Sequence, residues 1–205
     1  MRLLFIDLET TGLPITKGFD NYYPYNELSY YDTSRIVQIA ALVYEKVDDD
    51  FVLIREHNYI IKPEGFEIKN SNIHGIENDT ASFAGISVND AIKNMEDDLK
   101  NSDLFIAHNV LFDRTILLSE LSRHSLEAEI KYVENIPIFC TASNTKNILK
   151  LPCKRKSVYK TPKLIELYNH LFGVVPQGMH DALQDIRCTA ECFFELIRRK
   201  YFKLC

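Results

Sequence analysis

Leu3-Leu4-Phe5-Ile6-Asp7-Leu8-Glu9-Thr10-Thr11-Gly12 opens on consecutive apolar residues and then stops at acidic and turn residues. A continuous apolar run closed in this way is the pattern of a short strand covered on both faces, at the centre of a sheet. Asp7 and Glu9 then stand at its carboxyl end. One residue separates them, so on an extended backbone both carboxylates point to the same side. Magnesium takes oxygen ligands and retains water, and a carboxylate pair of this kind suits it. A solvated strand end is the plainer alternative. Thr10-Thr11-Gly12 adds a glycine turn with hydroxyls and amides where a terminal nucleotide can approach the backbone.

Outward from this strand, Ile36 to Tyr44 and Phe51 to Ile61 are rich in Val, Ile, Tyr and Phe, with Asp48-Asp49-Asp50 between them, which predicts a hairpin. Val88, Ala91, Ile92, Met95 and Leu99 recur at helical spacing between Ser87 and Lys100, and Leu104 to Ala107 reads as another buried strand. A helix follows from Val110 to Arg123, then a short strand from Ile136 to Phe139. Another helix from Pro162 to Phe172 ends at Gly173. The last helix runs from Asp181 to Tyr201, with Ala182, Ile186, Ala190, Phe193 and Ile197 on its buried stripe. Leu13 to Ser34, with Tyr22, Tyr23, Tyr25, Tyr30 and Tyr31, and Leu151 to Thr161 read as irregular. This order gives an α/β fold with helices packed on a mixed sheet, and the 205 residues suit a single domain, 1–205.

Two further segments carry chemistry. His108-Asn109-Val110-Leu111-Phe112-Asp113 lies where a buried strand gives way to a helix. There Asp113 is either a first-turn acid favoured by the helix dipole or a metal ligand, and His108 and Asn109 serve the turn or a substrate. His180-Asp181-Ala182-Leu183-Gln184-Asp185 opens the last helix. His180 is badly phased with Asp185 if both are helical, and it becomes usable if it sits in the preceding turn with Asp181 as cap. Gly178 makes that turn reasonable.

Bulk properties bound the rest. The five cysteines, at 140, 153, 188, 192 and 205, are odd in number and lack paired spacing, so the expectation is reduced thiols in a cytoplasmic protein, with Cys188 and Cys192 buried as small apolar residues. No apolar run approaches a membrane span, and no cleavable leader is recognised. The net charge of -5 hides an asymmetry. From Thr141 to Ile165 no residue is acidic, yet Lys146, Lys150, Lys154, Arg155, Lys156, Lys160 and Lys163 fall there. Either these lysines solvate a loop and helix face, or they track phosphates without local acidic partners.

Taken in order, the three acidic segments resemble the DEDDh group of 3′-to-5′ exonucleases, the group of bacterial polymerase proofreading subunits and ribonuclease T. An apolar strand followed by DxETTG is met at Phe5 to Gly12, HNxxFD at His108 to Asp113, and HDAxxD at His180 to Asp185. Lys62-Pro63, Ile73-His74-Gly75-Ile76, Lys163-Leu164 and Leu171-Phe172-Gly173 extend the resemblance over nearly the whole chain. It implies a ribonuclease H-like fold, with a mixed five-stranded sheet flanked by helices. It also implies two magnesium ions, with manganese able to substitute. By that resemblance Asp7, Glu9 and Asp185 ligate the first ion, Asp7 bridges to the second, and Asp113 supports the second. His180 is the general base, imidazole being the side-chain type that titrates near neutrality. Thr10, Thr11, Leu13, His108, Asn109 and Phe112 are the expected substrate contacts. The expected partner is a nucleic acid with a free 3′ end, DNA ahead of RNA, with no membrane. RNA 3′-end trimming is the alternative activity, and a non-catalytic binding module is the alternative class. The tyrosine-rich segment either stacks bases or packs on itself over the sheet edge. Homodimerisation stays open, and a polymerase partner is left in doubt because little chain follows the last helix.

Overall fold

The computed structural model describes residues 1–18, 20–153 and 158–204. Lys154, Arg155 and Lys156 of the basic stretch, and Cys205, lie outside the described residues. In chain order the elements are β1 (Arg2–Thr10), β2 (Thr16–Gly18), β3 (Asn21–Tyr22), a 3-10 turn (Leu28–Tyr30), β4 (Ile36–Val47) and β5 (Asp50–Ile60). Then come α1 (Ser71–His74), α2 (Asn78–Ala84), α3 (Val88–Asn101), β6 (Leu104–Ala107), α4 (Val110–Arg123) and α5 (Glu127–Asn135). The chain finishes with β7 (Ile138–Cys140), α6 (Thr141–Leu149), α7 (Leu164–Phe172) and α8 (Ala182–Arg198).

The main sheet has five strands in the order β5-β4-β1-β6-β7, with the first acidic segment on its central strand. β1 runs antiparallel to β4 and parallel to β6, so the sheet is mixed, as expected. Strand alternation sorts β1 onto two cores. Leu4, Ile6 and Leu8 pack with Ile92 and Met95 of α3, Ile116 and Leu117 of α4 and Val133 of α5. Leu3 and Phe5 face the other way, against Ala182, Ile186 and Phe193 of α8. Asp7 and Glu9 share their parity and therefore face α8. α8 is apolar on a second stripe too, where Cys188, Cys192 and Leu196 meet Leu164, Leu167 and Leu171 of α7. Both cysteines are buried as small apolar residues.

Several boundaries move for local reasons. The expected strand at Ile136 to Phe139 begins instead at Ile138. Pro137 has no N–H to give, and it joins the sheet only as acceptor of the Phe105 N–H, at 2.8 Å. α7 starts at Leu164, after Pro162 and Lys163. The tyrosine-rich segment folds on itself. Tyr31 is fully buried, Tyr23 and Tyr30 stack with centroids 3.6 Å apart, and the Tyr25 hydroxyl donates to Glu134 at 2.9 Å. No helix among the described residues is long and apolar enough to cross a membrane.

One buried ion pair ties the sheet to α4. The Arg35 guanidinium donates from Nε to Glu120 Oε1 at 2.5 Å and from Nη2 to Oε2 at 3.2 Å. Both residues are buried. The Arg35 backbone also accepts from the Thr11 N–H at 2.8 Å and donates to the Thr11 hydroxyl at 2.9 Å, so the pair holds the turn after the first acidic segment. Removing one partner strands a buried charge. Glu120→Leu should cost roughly 3–5 kcal/mol in denaturant unfolding, and Arg35→Met with Glu120→Leu should recover much of that loss. Equal losses in the single and double variants would contradict the pairing.

Candidate active site

Past Phe5, β1 outruns β6, whose register ends opposite Ile106. Asp113 takes part of the uncovered edge, accepting the Leu8 N–H at 3.2 Å while itself buried. The carboxylate of the second segment is thereby fixed beside the first. Asn109 makes the preceding turn as the N-cap of α4 with φ of +79°, a conformation that Asn tolerates.

The third segment meets them from across the sheet. Asp181 caps α8, its Oδ1 accepting the Gln184 N–H at 3.0 Å. His180 lies outside the helix with φ of +70°, after Gly178 at +72°. A histidine held left-handed costs about 1–2 kcal/mol, and such a residue persists only where its surroundings impose it. Its N–H donates to Asp185 Oδ2 at 3.3 Å. Ligand atoms of Glu9, His180 and Asp185 all lie within 4.8 Å of one another.

The electrostatics are those of acidic groups buried beside one another, with His180 the one opposing charge felt by Asp185 among the described residues. Burial, then the charges of Asp113, Asp185 and Glu9, pushes Asp7 well above the carboxylate range. Burial, then Asp185 and Asp181, raises Glu9 from its ordinary 4.5 to about 7. Asp185 is raised by burial to about 6, although the His180 N–H opposes the shift. Burial also raises Asp113, against the pull of its backbone hydrogen bonds. Asp185 Oδ1 is buried and has no hydrogen-bond partner among the described residues. Hard oxygen donors, mutual repulsion and an orphaned oxygen together fit a divalent cation. Glu9, Asp185 and His180 bring ligand atoms within reach of one ion, and Asp7 and Asp113 lie close enough to feel the charge of that group.

The remaining expected residues fall in different settings. The Thr10 hydroxyl donates to the Gly12 carbonyl at 2.8 Å and that of Thr11 to the Thr33 carbonyl at 3.1 Å, so both are engaged within the turn. Gly12 is required there, since a Cβ would come within 2.9 Å of Thr33 O. Leu13 is 76% exposed, and Phe112 is half-buried against the core. His108 donates from Nε2 to the Pro162 carbonyl at 3.0 Å, and its Nδ1 accepts from the Thr141 hydroxyl at 2.9 Å. Burial lowers its pKa to about 4, in keeping with a neutral ring. The basic stretch is not free of acidic partners, because Lys160 pairs with Glu166 at 2.5 Å.

The sequence reading missed Gln38. It stands opposite Glu9 in the β1 and β4 ladder and is buried. Its Nε2 donates to Asn58 Oδ1 at 2.9 Å and Asp181 Oδ2 at 3.3 Å, and its Oε1 accepts the Ala182 N–H at 3.2 Å. One amide thus seats the start of α8 against the strand beside the carboxylates. Asn70 does similar work on the turn, donating to the Thr10 carbonyl at 2.9 Å.

A family model for the RNase T exonucleases matches residues 4–193. The chain belongs to that family. That family is the DEDDh, DnaQ-like group of exonucleases, and membership in it implies phosphodiester hydrolysis. Among solved structures, E. coli exonuclease I in complex with a dT13 oligonucleotide is similar at 17% identity and a TM-score of 0.70, over 96% of this chain and 41% of that one. Cell-death related nuclease 4 is similar at 16% identity and a TM-score of 0.66, over 97% of this chain and 64% of that one. The nuclease domain of 3′hExo, described as a DEDDh family member bound to rAMP, is similar at 15% identity and a TM-score of 0.64, over 97% of this chain and 92% of that one. These likenesses establish the ribonuclease H-like fold. The chain spans about two fifths of the length of the exonuclease I chains. A search of curated protein sequences finds no significant match.

The raised carboxyls give a stability prediction for the exonuclease. Glu9 binds its proton more tightly folded than unfolded, so its penalty is absent below about pH 4.5 and grows as pH rises through about 7. In chelator at pH 8, Glu9→Gln should therefore raise the melting temperature by roughly 4–8 °C, equivalent to about 2 kcal/mol, with little effect near pH 4. A divalent cation should narrow the gap at pH 8 by stabilising the wild type. A variant that melts lower than the wild type in chelator at pH 8 would contradict the electrostatic account.

Proposed function

We propose that this chain acts as one exonuclease domain that releases nucleoside 5′-monophosphates from the 3′ ends of single-stranded or frayed DNA. Asp7, Glu9, Asp113 and Asp185 would hold two divalent cations, magnesium first and manganese as a substitute, and His180 would be the general base. The observation that carries this reading is that ligand atoms of Glu9, Asp185 and the exposed His180 lie within 4.8 Å of one another, with Asp7 and Asp113 close enough to couple to them by charge. A module that only bound nucleic acid would gain nothing from this cluster, since carboxylates without a cation repel phosphate.

When bound, the cations acidify water and stabilise negative charge on the phosphoryl oxygens and on the leaving 3′ oxygen. The chain's own groups do the rest. His180, outside α8, is free to take the proton of the attacking water, and its turn is fixed by the hydrogen bond to Asp185 and by Asp181 in the grip of Gln38. Leu13 offers an exposed apolar surface for a terminal base. His108 acts through its hold on Thr141 and Pro162, and Asn109 through the turn it makes.

DNA is favoured because the similar exonuclease I is seen with a dT13 oligonucleotide. RNA is the second reading, since 3′hExo, matched over 92% of its chain, is bound to rAMP. Matched 5′-labelled DNA and RNA strands, with magnesium, manganese or chelator, test both. The expected outcome is a shortening ladder with 5′-monophosphate products, faster on DNA and absent in chelator. His180→Asn should slow it by about 10²–10⁴-fold, and Asp7→Asn should bring it to background. Products bearing a 3′-phosphate, or full activity in chelator, would refute the mechanism, and faster digestion of RNA would select the second reading.

A further inference from the structure

A cleft of about 1110 Å³ opens from the catalytic turn, with His180 and Asp185 at one end. Its walls are α6 and the segment leading into α7, and they carry Lys146, Val158, Tyr159, Lys163 and Met179. The volume exceeds that of a site for one small molecule, typically 300–1,000 Å³. Val158 and Tyr159 are 46% and 40% exposed, while Lys163 is exposed and Lys146 half-buried. Lys160, also in the wall, is turned onto Glu166. His108 pins the wall to the second acidic segment through the Pro162 carbonyl. This surface alternates cations with apolar and aromatic faces, the composition that holds a single strand by its phosphates and bases together.

We infer, resting on the exonuclease reading above, that this cleft seats the nucleotides on the 5′ side of the scissile phosphate, with Lys146 and Lys163 on phosphates and Tyr159 against a base. Hydrolysis at a 3′ end leaves one nucleotide on the product side. A groove too large for one nucleotide and continuous with the catalytic end therefore belongs to the strand that remains. The occupant is a single strand, because its bases must be unpaired to lie on Tyr159.

The test is steady-state digestion of a single-stranded decanucleotide by the full chain over a range of salt. Lys146→Ala with Lys163→Ala should raise KM roughly tenfold at moderate salt and reduce the slope of log KM against log salt by about 1.4, the value for two phosphate contacts on a single strand. The change in kcat should be far smaller. Tyr159→Ser should raise KM without altering the salt slope. Lys93→Ala with Lys100→Ala, on exposed positions of α3, removes the same charge elsewhere and should change neither. An unchanged KM and slope in the cleft variants, or an equal change in the α3 variant, would overturn the strand seat while wild-type digestion left the exonuclease reading standing. A wild type that failed to digest the strand in metal would instead remove the reading beneath it. Loss of kcat with KM unchanged would also overturn the inference, since it would place these side chains in catalysis or folding.

Discussion

Four carboxylates, with only His180 opposing their charge among the described residues, are brought close together, and the fold has to hold them there against burial and repulsion. Like charges at close range lower each other's acidity and favour any movement that separates them. Burial first, and the neighbouring carboxylates second, raise the pKa values of Asp7, Glu9, Asp113 and Asp185. A cation relieves the repulsion, so the site is least stable when empty and ionised and is restored by what it binds.

Rigid elements supply the restraint. Asp7 and Glu9 ride on the central strand of the sheet, which has neighbours on both sides and apolar packing on both faces. Asp113 comes from the other layer and is anchored to that strand by the Leu8 N–H. Asp185 arrives on α8, whose start is clamped by Gln38 from the adjoining strand. The buried Arg35 and Glu120 pair then stiffens the turn that follows the first two carboxylates. A second network, in which buried Asp98 of α3 accepts from the exposed Arg55 and meets buried His57 at 2.9 Å, ties the sheet edge to its helical layer.

What could be read in the sequence was what repeats locally. Alternation put Asp7 and Glu9 on one side, helical spacing gave the buried stripe of α3, and the misfit of His180 with Asp185 pointed to a turn. Gln38 gave no such signal. Within Ile36 to Tyr44 it is one polar residue in an apolar strand, and its partners lie 20 and 143 residues away. Glu120 and Asp98 likewise look like solvent-facing acids until tertiary packing buries them. α5 and α6 escaped notice because each is short and has few buried apolar positions, and α6 is capped by the Cys140 sulfur, at 3.3 Å from the Ser143 nitrogen. The lack of acids between Thr141 and Ile165 suggested unpaired lysines, and only the fold brought Glu166 back onto Lys160.

Manganese titration of the metal-free chain, followed by electron paramagnetic resonance with a nucleoside 5′-monophosphate present, tests the carboxylate cage most directly. The account predicts two bound ions per chain with a spectrum showing magnetic coupling between them, and loss of that coupling in Asp7→Asn. No saturable binding, or binding left intact when Asp7 is changed, would contradict it.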